Sequence, residues 1–200
     1  MKQYTLDTNI FRHQTNESDS RQLRSGAQAT WDKMIKEVDI GEAVLLVPKE
    51  VAFELDLQSF TLKKKQNEAI ANLIELCKEV EPEVYTFEIE KSLRRLTAYV
   101  KSKHGSILGH RIERLEASDA RILYTAYDEN SILVTANVKD FMLYPLLFPE
   151  GEERIYCMKN NQYIKVPTEN YKAIQKDPEF IALRQTFYDA EIRAEGEEST

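Results

Sequence analysis

The sequence predicts an α/β fold, a three-layer α/β/α arrangement around a central parallel sheet, and three observations carry that expectation. Short apolar runs alternate with stretches of helical periodicity. Prolines or polar turn residues stop each apolar run, and acids or amides recur near the ends of those runs. Strand and helix in regular alternation is the pattern of βαβ units, which require a parallel sheet.

Tyr4-Thr5-Leu6-Asp7-Thr8-Asn9-Ile10-Phe11 reads as a short buried strand that ends in a carboxylate and returns to apolar character. In an open parallel sheet this puts Asp7 in the crevice at the carboxyl end of the first strand, where such folds bind ligands. The competing explanation for a strand-ending Asp or Thr is a helix cap or an Asx-turn. His13 to Arg24 is polar and reads as a loop running into a helix, with Ser18 or Ser20 as its cap. Trp31, Met34, Ile35 and Val38 continue that helix at helical spacing, and Gly41 ends it.

Ala43 to Val47 is the second buried strand, stopped by Pro48, which is suited to open a helix. Val51, Phe53, Leu55 and Leu57 mix helical and alternating spacing, but the proline start and the Glu50/Glu54 pair favour helix. Lys63-Lys64-Lys65 precedes Ile70, Leu73, Ile74, Cys77 and Val80, expected to form one amphipathic helix ended by Pro82. A further helix is expected from about Ile89 to Lys103, with Leu93, Leu96 and Val100 on its apolar face.

Ser118 reads as the N-cap of the next helix, with Asp119 in its first turn and Ala120, Leu123, Ala126 and Tyr127 along one face. Ser131 to Thr135 is another buried strand, followed by Ala136-Asn137-Val138-Lys139-Asp140-Phe141. Past Pro149 the character changes. Arg154 to Met158 reads as a strand, Thr168 to Lys176 as a capped helix, and Phe180, Leu183, Phe187 and Ala190 as an amphipathic stretch. Gly196 to Thr200 is an acidic tail expected to be disordered.

The bulk properties narrow the classes of function. Two hundred residues suit one domain with a proper core. A net charge of −7 excludes a globally basic nucleic-acid coat, yet is compatible with an acidic metal site served by a local basic stripe. Such a stripe exists: Lys91, Arg94, Arg95, Lys101, Lys103, Arg111 and Arg114 fall in a stretch whose one acid is Glu113. It reads either as a solvated helix face or as a phosphate-binding surface, with Arg94, Arg95, Lys101 and Lys103 as the candidates. Cys77 and Cys157 lack a partner pattern and read as reduced thiols. No apolar run approaches a membrane span, because Met142 to Phe148 is short and broken by Pro145. Asp7 interrupts what a signal peptide would need. These features lead to an expectation of a cytoplasmic protein. His13, His104 and His110 are not at zinc-motif spacing.

Four acids stand out by their positions relative to strands and helices: Asp7, Glu54, Asp119 and Asp140. Together with Leu6-Asp7-Thr8-Asn9-Ile10, Val51 to Leu55, Ser118-Asp119-Ala120 and Leu133 to Phe141, the pattern resembles the PIN-domain nucleases. The resemblance covers Met1 to about Pro149. It implies a PIN-like nuclease domain over 1–149; the chain departs from the compact pattern in extra helices inserted between Glu54 and Asp119 and in a C-terminal extension over 150–200, expected to pack on or next to the domain. It further implies an endoribonuclease dependent on Mg²⁺ or Mn²⁺, with those four acids as metal ligands and catalytic groups. Thr8, Asn9, Thr135 and Asn137 would hold the carboxylates or touch substrate. RNA is the implied substrate, an antitoxin or other protein is an implied partner, and a homodimer is the implied assembly. Many small bacterial relatives are toxins.

The chemistry suits these residue types. Mg²⁺ prefers oxygen ligands and keeps several waters, so a few carboxylates and a substrate phosphate suffice. Carboxylates crowded together raise one another's pKa, and a cation relieves the repulsion. The alternative is a non-catalytic module of the same fold that binds RNA or a protein. A receiver-type phosphoryl-transfer domain would need an acidic pair at the end of the first strand and an isolated Asp in the middle of the chain, and this sequence has neither.

Overall fold

The computed structural model describes residues 1–198, which divide into two compact units. The first comprises Met1–Glu81, Thr125–Asn137 and Arg154–Ile164; the second comprises Pro82–Tyr124, Val138–Glu153 and Lys165 onward. The expected α/β class holds. A mostly parallel sheet is flanked by helices, consistent with the three-layer arrangement, and the whole sheet belongs to the first unit.

The first unit begins with β1 (Lys2–Leu6), α1 (Thr8–Thr15), α2 (Arg21–Asp39), β2 (Ala43–Pro48), α3 (Lys49–Ser59), α4 (Lys64–Ile74) and β3 (Lys78–Val80). Later segments add β4 (Ile132–Thr135), β5 (Ile155–Cys157) and β6 (Gln162–Ile164). The strand order is β3-β2-β1-β4-β5-β6. All neighbours are parallel except β5 and β6, which form an antiparallel hairpin. The sheet is thus not purely parallel as expected, and the residues after Pro149 contribute its last two strands.

Three local expectations are corrected. The chain is already helical from Thr8, so His13 to Thr15 belong to α1. Only Ile10 and Phe11 supply its apolar contacts, too few to show a helical period. The helix after the three lysines stops at Ile74, and Val80 lies in a strand paired with β2. Val80 continues the i, i+3 spacing by coincidence, and a charged three-residue edge strand carries little pattern of its own. Ser118 lies inside the first turn of its helix and does not precede it.

Where the readings hold, the physical reasons are visible. Ser20 caps α2, its hydroxyl accepting from the Leu23 amide at 3.3 Å. Gly41 takes a left-handed backbone (φ 72°) beyond the end of α2, which glycine adopts without a Cβ clash. α2 is fixed over β1 by Tyr4, which is fully buried, accepts from Lys33 at 2.7 Å and donates to Glu37 at 2.7 Å. Burial alone would raise the Glu37 pKa, but hydrogen bonds from Lys33, Tyr4 and Lys2 hold it down to about 2. Trp31 packs edge-on against Phe11, with ring centroids 5.6 Å apart.

α2 also lies very close to the β5–β6 turn. A Cβ on Gly26 would meet the Met158 carbonyl oxygen at 2.7 Å, and a backbone atom cannot step aside cheaply. Gly26→Ala is therefore expected to cost about 1–3 kcal/mol, as overpacking does, read from a lowered urea midpoint.

The second unit contains α5 (Phe87–His104), most of α6 (Ala117–Asp128), 3₁₀ turns at Val138–Asp140 and Tyr144–Leu147, α7 (Thr168–Gln175) and α8 (Pro178–Glu198). α5 and α8 pack together. Phe187 meets Tyr124 edge-on at 6.2 Å, and both Phe180 and Phe187 are fully buried. Asp177 accepts from Tyr99 at 2.8 Å, lies 2.8 Å from His104 Nε2, and takes the Glu179 amide at the start of α8. Part of the expected disordered tail is helical as far as Glu198; the rest lies outside the described residues.

Candidate active site at the carboxyl ends of β1 and β4

The chain leaves β1 towards β2 and β3 on one side, and later returns to β4 on the other. β1 is therefore a topological switch point, and the crevice beyond its carboxyl end is where open α/β sheets take ligands. Register does the rest. Leu6 pairs with Val134, and the Asp7 amide donates to the Val134 carbonyl at 3.1 Å, so Asp7 and Thr135 sit side by side as the strands end.

Asp7 occupies the N-cap position of α1 with extended backbone (φ −79°, ψ 154°), but its side chain makes no capping bond. The carboxylate turns to the neighbouring strand. Thr135 Oγ1 donates to Asp7 Oδ2 at 2.6 Å, and Asn9 Nδ2 donates to the same oxygen. Both donors are themselves anchored. Asn9 Oδ1 accepts from the Ala136 amide at 2.7 Å, and Thr135 Oγ1 accepts from the Asn137 amide at 2.8 Å. Thr8, one residue on, donates from Oγ1 to Glu54 Oε2 on α3. Three side chains, Thr8 and Asn9 of α1 and Thr135 of β4, thus hold two carboxylates, Asp7 and Glu54, at one crevice.

Asp7 is only 5% exposed. Burial is the largest influence on it and raises its pKa. The Thr135 hydrogen bond opposes this, the Glu54 charge raises it again, and Asn9 and the Thr8 amide lower it; the result is about 6. Removing water disfavours the charged form, and a second carboxylate nearby adds repulsion. An acid pair of this kind, with Asp7 buried and Glu54 half-buried, is stabilised by a cation.

The first unit brings together Asp7, Thr8, Asn9, Glu54, Thr135 and Asn137, the last through its backbone amide. The other two expected acids lie in the second unit. Asp119 is half-buried in the first turn of α6. Asp140 is buried in the 3₁₀ turn, 3.9 Å from the Lys139 ammonium. Among the described residues, no three His, Cys, Asp or Glu side chains gather into a cluster that could hold a metal ion. The donor set still fits Mg²⁺ or Mn²⁺: two oxygen-donor side chains can bind such an ion while water and a substrate phosphate fill the other positions.

The basic stripe is partly neutralised. Arg94 pairs with Glu90 at 2.9 Å, and Lys101 and Arg111 both pair with Glu113. Among the described residues, Arg95, Lys103 and Arg114 form no ion pair. Lys91, Arg94, Arg95 and Arg114 line one shallow groove beside α5, and Lys101, Lys103 and Arg111 line a second. His13 is tied to Asp19 at 2.6 Å, and His104 is tied to Asp177.

The sequence reading missed the amides of Ala136 and Asn137, since backbone donors carry no residue signature. It also missed an apolar stripe on α3. Phe53, Leu57 and Phe60, spaced i, i+4 and i+7, are 56%, 53% and 84% exposed, while Val51 and Leu55 face inward. That spacing was legible, but which face is covered was not.

No protein-family model matches this chain, and no curated protein matches it. Two solved structures overlay on it in part. One is VapBC2 from Rickettsia felis bound to a DNA fragment from its promoter: 21% identity, 68% of this chain and 89% of that one, TM-score 0.44. The other is FitAcB from Neisseria gonorrhoeae: 17% identity, 70% of this chain and 92% of that one, TM-score 0.45. Overlays this loose place the chain in no family.

Proposed function

We propose that this chain is a metal-dependent endoribonuclease whose cation, Mg²⁺ or Mn²⁺, is held by Asp7 and Glu54. The observation that carries the reading is the pair of carboxylates at the switch point. Asp7 is buried, is oriented by Thr135 and Asn9, and makes no capping bond. A merely structural Asp at that position would cap α1. When bound, such a cation supplies an activated water and stabilises the leaving oxygen of an in-line phosphodiester displacement. The chain's own residues do the positioning: Thr135 and Asn9 fix Asp7, and Thr8 fixes Glu54. Asp119 and Asp140 are proposed as supporting acids from the sequence pattern. Arg94, Arg95, Lys101 and Lys103 are proposed to contact phosphate.

The test is cleavage of a mixed single-stranded and structured RNA pool in Mg²⁺, Mn²⁺ or EDTA, with Asp7→Asn, Glu54→Gln, Asp119→Asn and Asp140→Asn alongside. Metal-dependent cuts lost in the first two variants are expected. Cuts that persist in Asp7→Asn, or that survive EDTA, would sink the assignment. Loss in Asp119→Asn or Asp140→Asn as well would add those acids to the working set.

One observation favours the second reading, a module that binds a protein. The exposed Phe53, Leu57 and Phe60 stripe lies on the helix that carries Glu54, and exposed apolar patches mark interaction surfaces. A wild-type protein that cuts no RNA in any metal would move the account to that reading, with a homodimer or an antitoxin-type protein as the partner to seek.

A further inference from the structure

A second concave site lies in the first unit, between α4 and the end of α1 with the loop that follows it. Gln14 and Asn16 line one wall, and Lys63, Lys65, Gln66 and Asn72 line the other. Ala69 and Leu73 add apolar surface between the polar groups. The polar lining is four carboxamides, two ammonium groups, the Glu17 carboxylate and the hydroxyls of Thr15 and Ser18. Carboxamides present a donor and an acceptor side by side, the arrangement that pairs with nucleobase edges. Lysines bind phosphate as point charges, and an apolar floor accepts the face of a base.

Asn16 is engaged by Asp19 at 2.8 Å and by the Ser18 amide at 3.0 Å, and Gln14 donates to Gln28 at 3.1 Å at the surface, which leaves the Gln14 carbonyl oxygen facing a ligand as an acceptor. Among the described residues, Lys63 forms no ion pair and the Asn72 side-chain amide has no hydrogen-bond partner. Lys65 pairs with Glu17 at 2.8 Å, but both are strongly exposed, and such pairs contribute little. Gln66 reaches the Thr15 carbonyl only at 3.5 Å.

α1 joins this cleft to the acid pair. Asp7 and Thr8 stand at its amino end and Gln14 in its last turn. Seven residues of helix span about 10 Å. α3, carrying Glu54, and α4, carrying the lysines, both pack on the same helix.

We infer that this cleft is a subsite for single-stranded RNA, in which Lys63 and Lys65 hold a phosphate while the amides of Asn72, Gln66 and Gln14 contact the neighbouring base. The inference rests on the ribonuclease reading for the identity of the ligand, and its test is made independent of cleavage. Binding of a fluorescein-labelled single-stranded RNA ten-mer is measured in EDTA across a salt series. Removing two phosphate contacts with Lys63→Ala/Lys65→Ala is expected to weaken binding about 5–10-fold and to flatten the log–log salt slope by about 1.4. Asn72→Ala is expected to weaken binding a few-fold with the slope unchanged, because an amide releases no counterions. All three substitutions lie at exposed positions, so folding is not at stake. Wild-type affinity and slope in both variants would overturn the subsite, even if the enzyme cleaves RNA. Binding that fails in these variants, in a protein that never cleaves in any metal, would keep the subsite and overturn the nuclease reading alone.

Discussion

Asp7→Asn is expected to do two opposite things: abolish cleavage and stabilise the metal-free protein at neutral pH. The first follows from losing a direct oxygen ligand. The fall in rate should exceed the roughly 10–100-fold typical of groups one step removed from a metal. The second follows from burial. The folded state holds the Asp7 pKa at about 6, above its ordinary 3.8, so the folded protein binds this proton more tightly than the unfolded chain does. The contribution of protonated Asp7 is fully present below about pH 4 and is lost as pH rises through about 6. The displacement corresponds to roughly 3 kcal/mol as an upper figure. Asparagine keeps the shape and an accepting oxygen without the charge. In EDTA at pH 8 the variant should therefore unfold at higher urea than the wild type, while at pH 4 the two should coincide. A variant that is less stable at pH 8, or that cleaves RNA at the wild-type rate, contradicts the account.

Thr135→Val carries the second large effect. Its hydroxyl donates to Asp7 Oδ2 at 2.6 Å and accepts the Asn137 amide at 2.8 Å, all in a fully buried position. Valine has nearly the same shape, so packing survives while both bonds vanish. The carboxylate and the amide are left without that partner, at about 1–3 kcal/mol for each buried group not rescued by water. Asp7 would keep only Asn9 and the Thr8 amide to orient it, so cation affinity and cleavage should fall by about 10–100-fold. Thr135→Ser, which retains the hydroxyl, should recover most of the activity. Equal loss in the serine and valine variants would show that the methyl group, and not the hydrogen bond, is what matters here.

Much of this molecule was legible in the sequence because its strongest signals are local. β1, β2, β4 and β5 are apolar runs bounded by proline or polar turns, and α2 and α5 repeat apolar residues over four or more turns. β6 was not read, although Asn160 and Asn161 mark the turn before it; Asn161 takes the left-handed backbone (φ 51°) that asparagine tolerates. β3 was absorbed into α4, because three residues carry no period. At the site, the strand-end position of Asp7 was visible, but the fact that Asp7 does not cap α1 was not. That depends on the register of β1 with β4, a contact across more than a hundred residues. Glu54 was legible only as one of many helix acids, and Thr8 gives it a place. Asp119 and Asp140 are marked by sequence pattern alone, and the Asp119→Asn and Asp140→Asn variants test their part in the chemistry.

The most direct test of the central claim is calorimetric titration of Mn²⁺ into the wild-type protein, Asp7→Asn and Glu54→Gln at pH 7, repeated in two buffers of different ionisation heat. If Asp7 and Glu54 hold the cation, the wild type binds Mn²⁺. Lowering the pH towards 6 should then weaken binding and release protons, since the ion must displace the proton that burial favours on Asp7. Both variants should lose most of the affinity. Mn²⁺ bound equally well by Asp7→Asn, or not at all by a folded wild type, would contradict the account at its root.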